Sequence, residues 1–157
     1  MEAATNFAAA GKLIKASAMQ QEALLMECWC YYSSMDYRQA AVKFTEVFNN
    51  YYPSAVGMKA LFQAAKSYQN LGNKTKAQSM YERIYRQLGE NEFQSQALYE
   101  LIRLSLSEKK FEQANVMVND FGRRFSASPL YASVLLLQME SFLAQQRYSE
   151  VQSAALN

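Results

Sequence analysis

The sequence predicts an all-α protein, built of antiparallel helix-pair repeats stacked in a right-handed superhelical solenoid. Three observations predict it. Only two Pro and five Gly occur in 157 residues, fewer than a turn-rich sheet protein of this size usually carries. Half of the residues are hydrophobic and 19% are charged, enough apolar material for a core and no basis for a disordered chain. The third observation is periodicity: YRQA, KTKA, FEQA and YSEV end on Ala40, Ala77, Ala114 and Val151, spaced by 37 every time.

The same register extends through both halves of each unit. Sixteen residues before these anchors stand Leu24, Leu61, Leu98 and Leu135, and nine before them Tyr31, Tyr68, Ser105 and Phe142. A leucine followed seven residues later by a mainly aromatic position defines one side of a 3.6-residue period. After the first three anchors come Phe44, Tyr81 and Val118 at i+4, then Val47, Ile84 and Phe121 at i+7. The second helix of each unit therefore opens on a small residue, where backbones can approach closely, and continues on an apolar face.

In chain order, residues 1–19 form a capping or accessory segment, with a helix near 3–18 whose apolar residues include Phe7, Leu13 and Ile14. Four units follow at about 20–56, 57–93, 94–130 and 131–157, the last one short. Their helices are expected at about 20–33 with 37–50, 56–70 with 74–88, 93–107 with 111–124, and 129–145 with 148–156. SSMD, NLGN, LSEKK and AQQR leave room only for tight turns inside the units. YYPSA, LGENE and FSASP separate one unit from the next, and Pro53 and Pro129 suit loops or first helical turns. A final helix of about nine residues leaves the far edge without an evident cap. On that reading the chain is part of a longer array, or another molecule closes the edge.

The chain contains no His, which removes His-dependent triads, His-ligated metals and the commonest acid–base group near neutral pH. Cys28 and Cys30 have no second pair to complete a zinc site, and on a helix they point about 200° apart, a poor geometry for a bridge. Neither a cofactor nor a metal is expected. A net charge of +2 does not by itself indicate a polyanionic partner. Its distribution is uneven, however: Lys59, Lys66, Lys74, Lys76, Arg83 and Arg86 face only Glu82 between residues 50 and 86. The N-terminus lacks a basic region followed by a continuous apolar run, and no stretch approaches the length of a membrane span. Membrane association is expected only through a partner or the N-terminal helix. The cytoplasm fits the chain as given, and the periplasm or envelope fits a trimmed one.

These columns resemble the tetratricopeptide repeat, over about residues 20–157. The strongest unit is ALFQAAKSYQNLGNKTKAQSMYERIYRQ, beginning at Ala60. Leu61 takes the family's first large position, Ala64 and Ala65 the Leu-Gly pair, Tyr68 the next aromatic and Gly72 the turn glycine. Ala77 and Tyr81 stand for the Ala and Phe of the second helix, and Ile84 for the late apolar position. The period is 37 where the family's is about 34. Together with NNYYPSAVGMKALFQAAKSYQNLG, that longer period is similar to the repeats of bacterial envelope-assembly lipoproteins and of the periplasmic coordinator of the Tol-Pal system. The chain departs from the family at the turns, where Met35, Lys109 and Gln146 stand in place of glycine.

The resemblance implies that the inner face of the first helices meets a peptide or helix. In this register the partner-binding row is Leu25, Trp29 and Tyr32, then Lys59, Phe62, Lys66 and Gln69, then Tyr99 and Arg103. Glu22, Gln96, Leu106, Ser133, Leu136 and Glu140 complete it. The aromatic residues supply rigid contact area, and the lysines and Arg103 can meet carboxylates. The family's carboxylate clamp for chaperone tails is not reproduced, since Lys66 stands where an Asn is expected. The expected function is a non-catalytic scaffold that binds a protein or peptide within a larger complex, with self-association as a further possibility. A nucleic-acid adaptor using the basic second unit is the alternative reading. An enzyme is the third: Glu22, Glu27 and Glu140 are carboxylates, but none forms a visible constellation with a nucleophile.

Overall fold

The computed structural model of the chain describes residues 19–87 and 92–147. Those residues form seven α-helices and no strand. They are α1 (19–33), α2 (Tyr37–Tyr51), α3 (Ala55–Asn70), α4 (Lys74–Tyr85), α5 (Gln94–Ser107), α6 (Phe111–Phe125) and α7 (Tyr131–Ala144). The expected helices at 3–18 and 148–156, and the fourth anchor Val151, lie outside the described residues. The chain divides into two compact units, Met1–Asn73 and Lys74–Asn157.

Local chemistry explains the starts and stops. Asp36 caps α2, its carboxylate accepting from the Gln39 N–H at 3.1 Å, and Ser54 caps α3, its Oγ accepting from the Gly57 N–H at 3.2 Å. Both satisfy donors that the first helical turn leaves without a backbone partner. The helices α1, α3, α5 and α7 end in one common way. Met35, Gly72, Lys109 and Gln146 have φ of 62°, 75°, 58° and 58°, the left-handed region, and they are spaced by 37. At the second of these turns, the Asn73 N–H donates to the Tyr68 carbonyl and the Gly72 N–H to the Gln69 carbonyl, both at 2.9 Å. The same pair of bonds recurs at the other three, for example from Lys110 to Ser105 and from Lys109 to Leu106, again at 2.9 Å. This is the Schellman arrangement, which satisfies the last carbonyls of a helix and reverses the chain.

In the first unit α2 packs on α3. Gly57, in the first turn of α3, lies against the end of α2: a Cβ there would lie 2.8 Å from the Tyr51 carbonyl oxygen. Only a glycine leaves room for that backbone. The anchor Ala40, with Phe44 and Val47 on the same face of α2, is buried, as are Leu61 and Ala65 on α3. Lys43 of α2 pairs with Glu27 of α1 at 3.1 Å, and that bond holds the ammonium above its ordinary range.

In the second unit α4 packs on α5, α5 on α6, α6 on α7, and α5 also reaches α7. Its core joins Leu98 and Ile102 of α5, Val118 and Phe121 of α6 and Val134 of α7. The Phe121 ring stacks on Tyr131, with centroids 6.4 Å apart, and meets Phe125 edge-on at 5.5 Å. The expected anchors Ala77 and Ala114, and the positions Tyr81, Ile84 and Phe121, are buried. Repeat columns and core thus coincide at those positions, because a small residue at the crossing and large ones at i+4 and i+7 fill one continuous helix face.

Candidate functional site

In the first unit the predicted row lies on α1 and α3. Trp29 is half-buried, its ring edge-on to Phe44 at 5.4 Å and to Tyr32 at 5.7 Å. Tyr32 is held in turn by the ring of Tyr37 at 5.4 Å, and its hydroxyl accepts from Asn70 Nδ2 at 3.2 Å, tying the end of α1 to the end of α3. The two aromatics are therefore pre-positioned, with part of each ring in the core and part at the surface. Leu25 and Gln69 are half-buried beside them in the sequence register. Lys59 is exposed and Lys66 half-buried, and neither has an ion-pair partner among the described residues. Phe62 differs from the sequence expectation: it is only 5% exposed. It shares a register with Leu25, Tyr99 and Leu136, but its ring is committed to packing and offers a partner little area.

In the second unit the row lies on α5 and α7. Arg103 projects over the Tyr99 ring, 5.8 Å from its centroid, and pairs with Glu100 at 3.1 Å. Tyr99 and Leu106 pack against the core from its margin, while Gln96 is exposed. On α7, Leu136 is 59% exposed and Leu143 is 49% exposed, one heptad apart, with Glu140 exposed and Ser133 half-buried between or beside them. Leu143 was not part of the predicted row, although its register with Tyr32, Gln69 and Leu106 could have placed it there. Sequence reasoning also misses a polar cluster formed by Tyr85, Asp120, Arg123 and Arg124. The Tyr85 hydroxyl and the Arg123 guanidinium both donate to the Asp120 carboxylate, and Arg124 stacks on the Tyr85 ring at 4.8 Å. Burial acts to raise the Asp120 pKa, but the Tyr85 hydroxyl and the two arginines outweigh it and hold the carboxyl below its ordinary range. Burial and the Asp120 hydrogen bond push the Tyr85 phenol up.

The groups weighed for chemistry are dispersed. Glu22 and Glu140 are exposed, and Glu27 is taken up by Lys43. Cys28 is buried; burial and the neighbouring Glu27 push its thiol up to about 11, so it carries no thiolate at neutral pH. Among the described residues no three metal-ligating side chains converge, and no helix is long and apolar enough to cross a membrane. Several of the basic groups considered for nucleic acid have intramolecular contacts. Lys74 donates to Ser107 Oγ at 3.0 Å, Arg86 lies 3.7 Å from Glu82, and Lys76 and Arg83 also have partners. An open cleft of about 510 Å³ lies where the start of α5 meets the α6–α7 connection, bordered by Ser95, Arg124, Phe125 and Pro129. None of the predicted row residues lines it.

Comparison of the sequence with protein-family models and with curated proteins finds no match.

Proposed function

We propose that this chain is a tetratricopeptide-type scaffold: four antiparallel helix-pair repeats at about 20–56, 57–93, 94–130 and 131–157, arranged as a right-handed solenoid that binds a protein segment and performs no catalysis. The observation that carries this reading is the fourfold recurrence of the left-handed turn at Met35, Gly72, Lys109 and Gln146, in step with the buried anchors. A turn fixed at one register makes each first helix leave its partner in the same way. Residues on one face of α1, α3, α5 and α7 then recur at equivalent places.

The partner-binding residues in this reading are Leu25, Trp29, Tyr32, Lys59, Lys66 and Gln69 in the first unit and Tyr99 and Arg103 in the second. Trp29, Tyr32 and Tyr99 are held by neighbouring rings or the core margin, so little side-chain entropy is lost on binding. Lys59, Lys66 and Arg103 favour a segment carrying Asp, Glu or a terminal carboxylate. The test is capture of partners from the native organism with the wild-type chain and with the Trp29→Ala, Lys66→Glu, Arg103→Glu variant. A partner retained by wild type and lost from the variant at unchanged helicity supports the reading. Equal capture by both removes the row from the function.

A further inference from the structure

The helix α7 is more apolar than a surface helix needs to be. Its 14 residues carry a single charge, Glu140, a composition suited to a helix covered on every side. Yet Leu136 is 59% exposed and Leu143 is 49% exposed, with Glu140 exposed between them. The three stand at i, i+4 and i+7, so they share one stripe of the helix. The Glu140 carboxylate has no ion-pair partner among the described residues.

The helix α5, which packs directly on α7, carries the equivalent stripe. Counting back 37 from Leu136, Glu140 and Leu143 gives Tyr99, Arg103 and Leu106. Tyr99 and Leu106 lie at the margin of the core, half-buried, so part of each side chain reaches the surface. Arg103 is exposed over the Tyr99 ring, and its bond to Glu100 uses Nη1 alone. The rest of the guanidinium fork can meet a second carboxylate. Both stripes therefore read apolar, charged, apolar, but with opposite charge at the centre. On α3 the central position is Lys66, of the same sign as Arg103, so the complementarity belongs to α5 and α7.

Opposite charges at equivalent positions make the two stripes self-complementary. On the repeat reading proposed above, on which this step rests, α5 and α7 are equivalent first helices that run in the same direction. A two-fold axis along them lays α5 of one copy on α7 of the other with no shift of register. We propose that this face is the interface of a symmetric homodimer, in which Arg103 pairs with Glu140 of a second copy, Tyr99 meets Leu136 and Leu106 meets Leu143, each contact made twice. Burial of the leucines drives the association, and the two ion pairs fix its register. A partner segment bearing a carboxylate competes for the same Arg103, so self-association controls access to this part of the row.

Sedimentation equilibrium of the purified whole chain over a range of concentrations tests this with no other protein present. The wild type should be a dimer that dissociates on dilution. Arg103→Glu and Glu140→Arg each set like charges together at both ion pairs, so either variant alone should have a dimer dissociation constant raised by about tenfold or more. Mixed in equal amounts, the two variants should form a heterodimer about as readily as the wild type, because every altered position then faces its opposite charge. Leu143→Lys, which puts a charge into the apolar contact, should also weaken the dimer. Circular dichroism of each variant should match the wild type, since all three positions are exposed. A wild type that stays monomeric at every concentration, or a dimer that both charge reversals leave intact, overturns the proposal. Loss of the dimer in both single variants with no recovery in the mixture overturns it too, because Arg103 and Glu140 then do not face each other. None of these results touches the scaffold reading, which partner capture judges separately.

Discussion

The residue at each repeated turn offers a test of the backbone itself. Lys109 closes α5 at φ 58°. An L side chain in that region costs about 1–2 kcal/mol because its Cβ crowds the following carbonyl. Glycine escapes that crowding but loses about 0.5–1 kcal/mol more on ordering from the unfolded chain. The difference makes Lys109→Gly stabilising by about 0.5–1 kcal/mol. Its ammonium is exposed, and the ion pair at this turn is made by Lys110 to Glu108, so loss of the Lys109 side chain subtracts little. Spread over 157 residues, the gain raises the melting temperature by about 2–3 °C.

Denaturant unfolding of wild type, Lys109→Gly, Lys109→Ala and Gly72→Ala decides the matter. Lys109→Ala should stay within about 0.5 kcal/mol of wild type, since it keeps the Cβ and removes only the exposed stem. Gly72→Ala, at φ 75°, should lose about 1 kcal/mol. As a positional control, Lys66→Gly inside α3 should also lose about 1 kcal/mol, because there glycine has only its entropic disadvantage. If Lys109→Gly falls by the same amount as Lys66→Gly, the left-handed turn at Lys109 is wrong and the common geometry of the four turns goes with it.

Four further outcomes follow from the same structure. Gly57→Ala forces a Cβ to within 2.8 Å of the Tyr51 carbonyl oxygen, so α3 must shift and the protein should lose about 2 kcal/mol or more in urea titration. Phe121→Ala, which empties the centre of the second unit's core, should cost about 3–5 kcal/mol by the same measurement. Because the folded Asp120 pKa is depressed, its contribution is present above the unfolded carboxylate pKa near 4 and is lost as pH falls through the folded value. Asp120→Asn should therefore flatten the loss of stability seen below about pH 4 in acid melts. Cys28 behaves oppositely: the unfolded thiol ionises near pH 9 while the folded one holds its proton to about 11. Stability should thus decline above about pH 9, less so in Cys28→Ala, as read from thermal melts.

The helices were legible in the sequence because a 37-residue register repeats the same requirements at every turn of the chain. Ala40, Ala77 and Ala114 announce close helix approaches, and Phe44, Tyr81 and Val118 the face beside them. The turns were legible as places but not as conformations. Gly72 signals positive φ on its own, whereas Met, Lys and Gln at the other three positions do not, and only their column does. The candidate surface was legible least. Periodicity assigns Phe62 and Tyr99 to one row, yet the first is buried and the second sits at the margin of its core with Arg103 over its ring. A period says which way a side chain leaves its own helix; whether another element then covers it depends on neighbours far along the chain. The Tyr85–Asp120 bond, joining α4 to α6 across 35 residues, is of that kind.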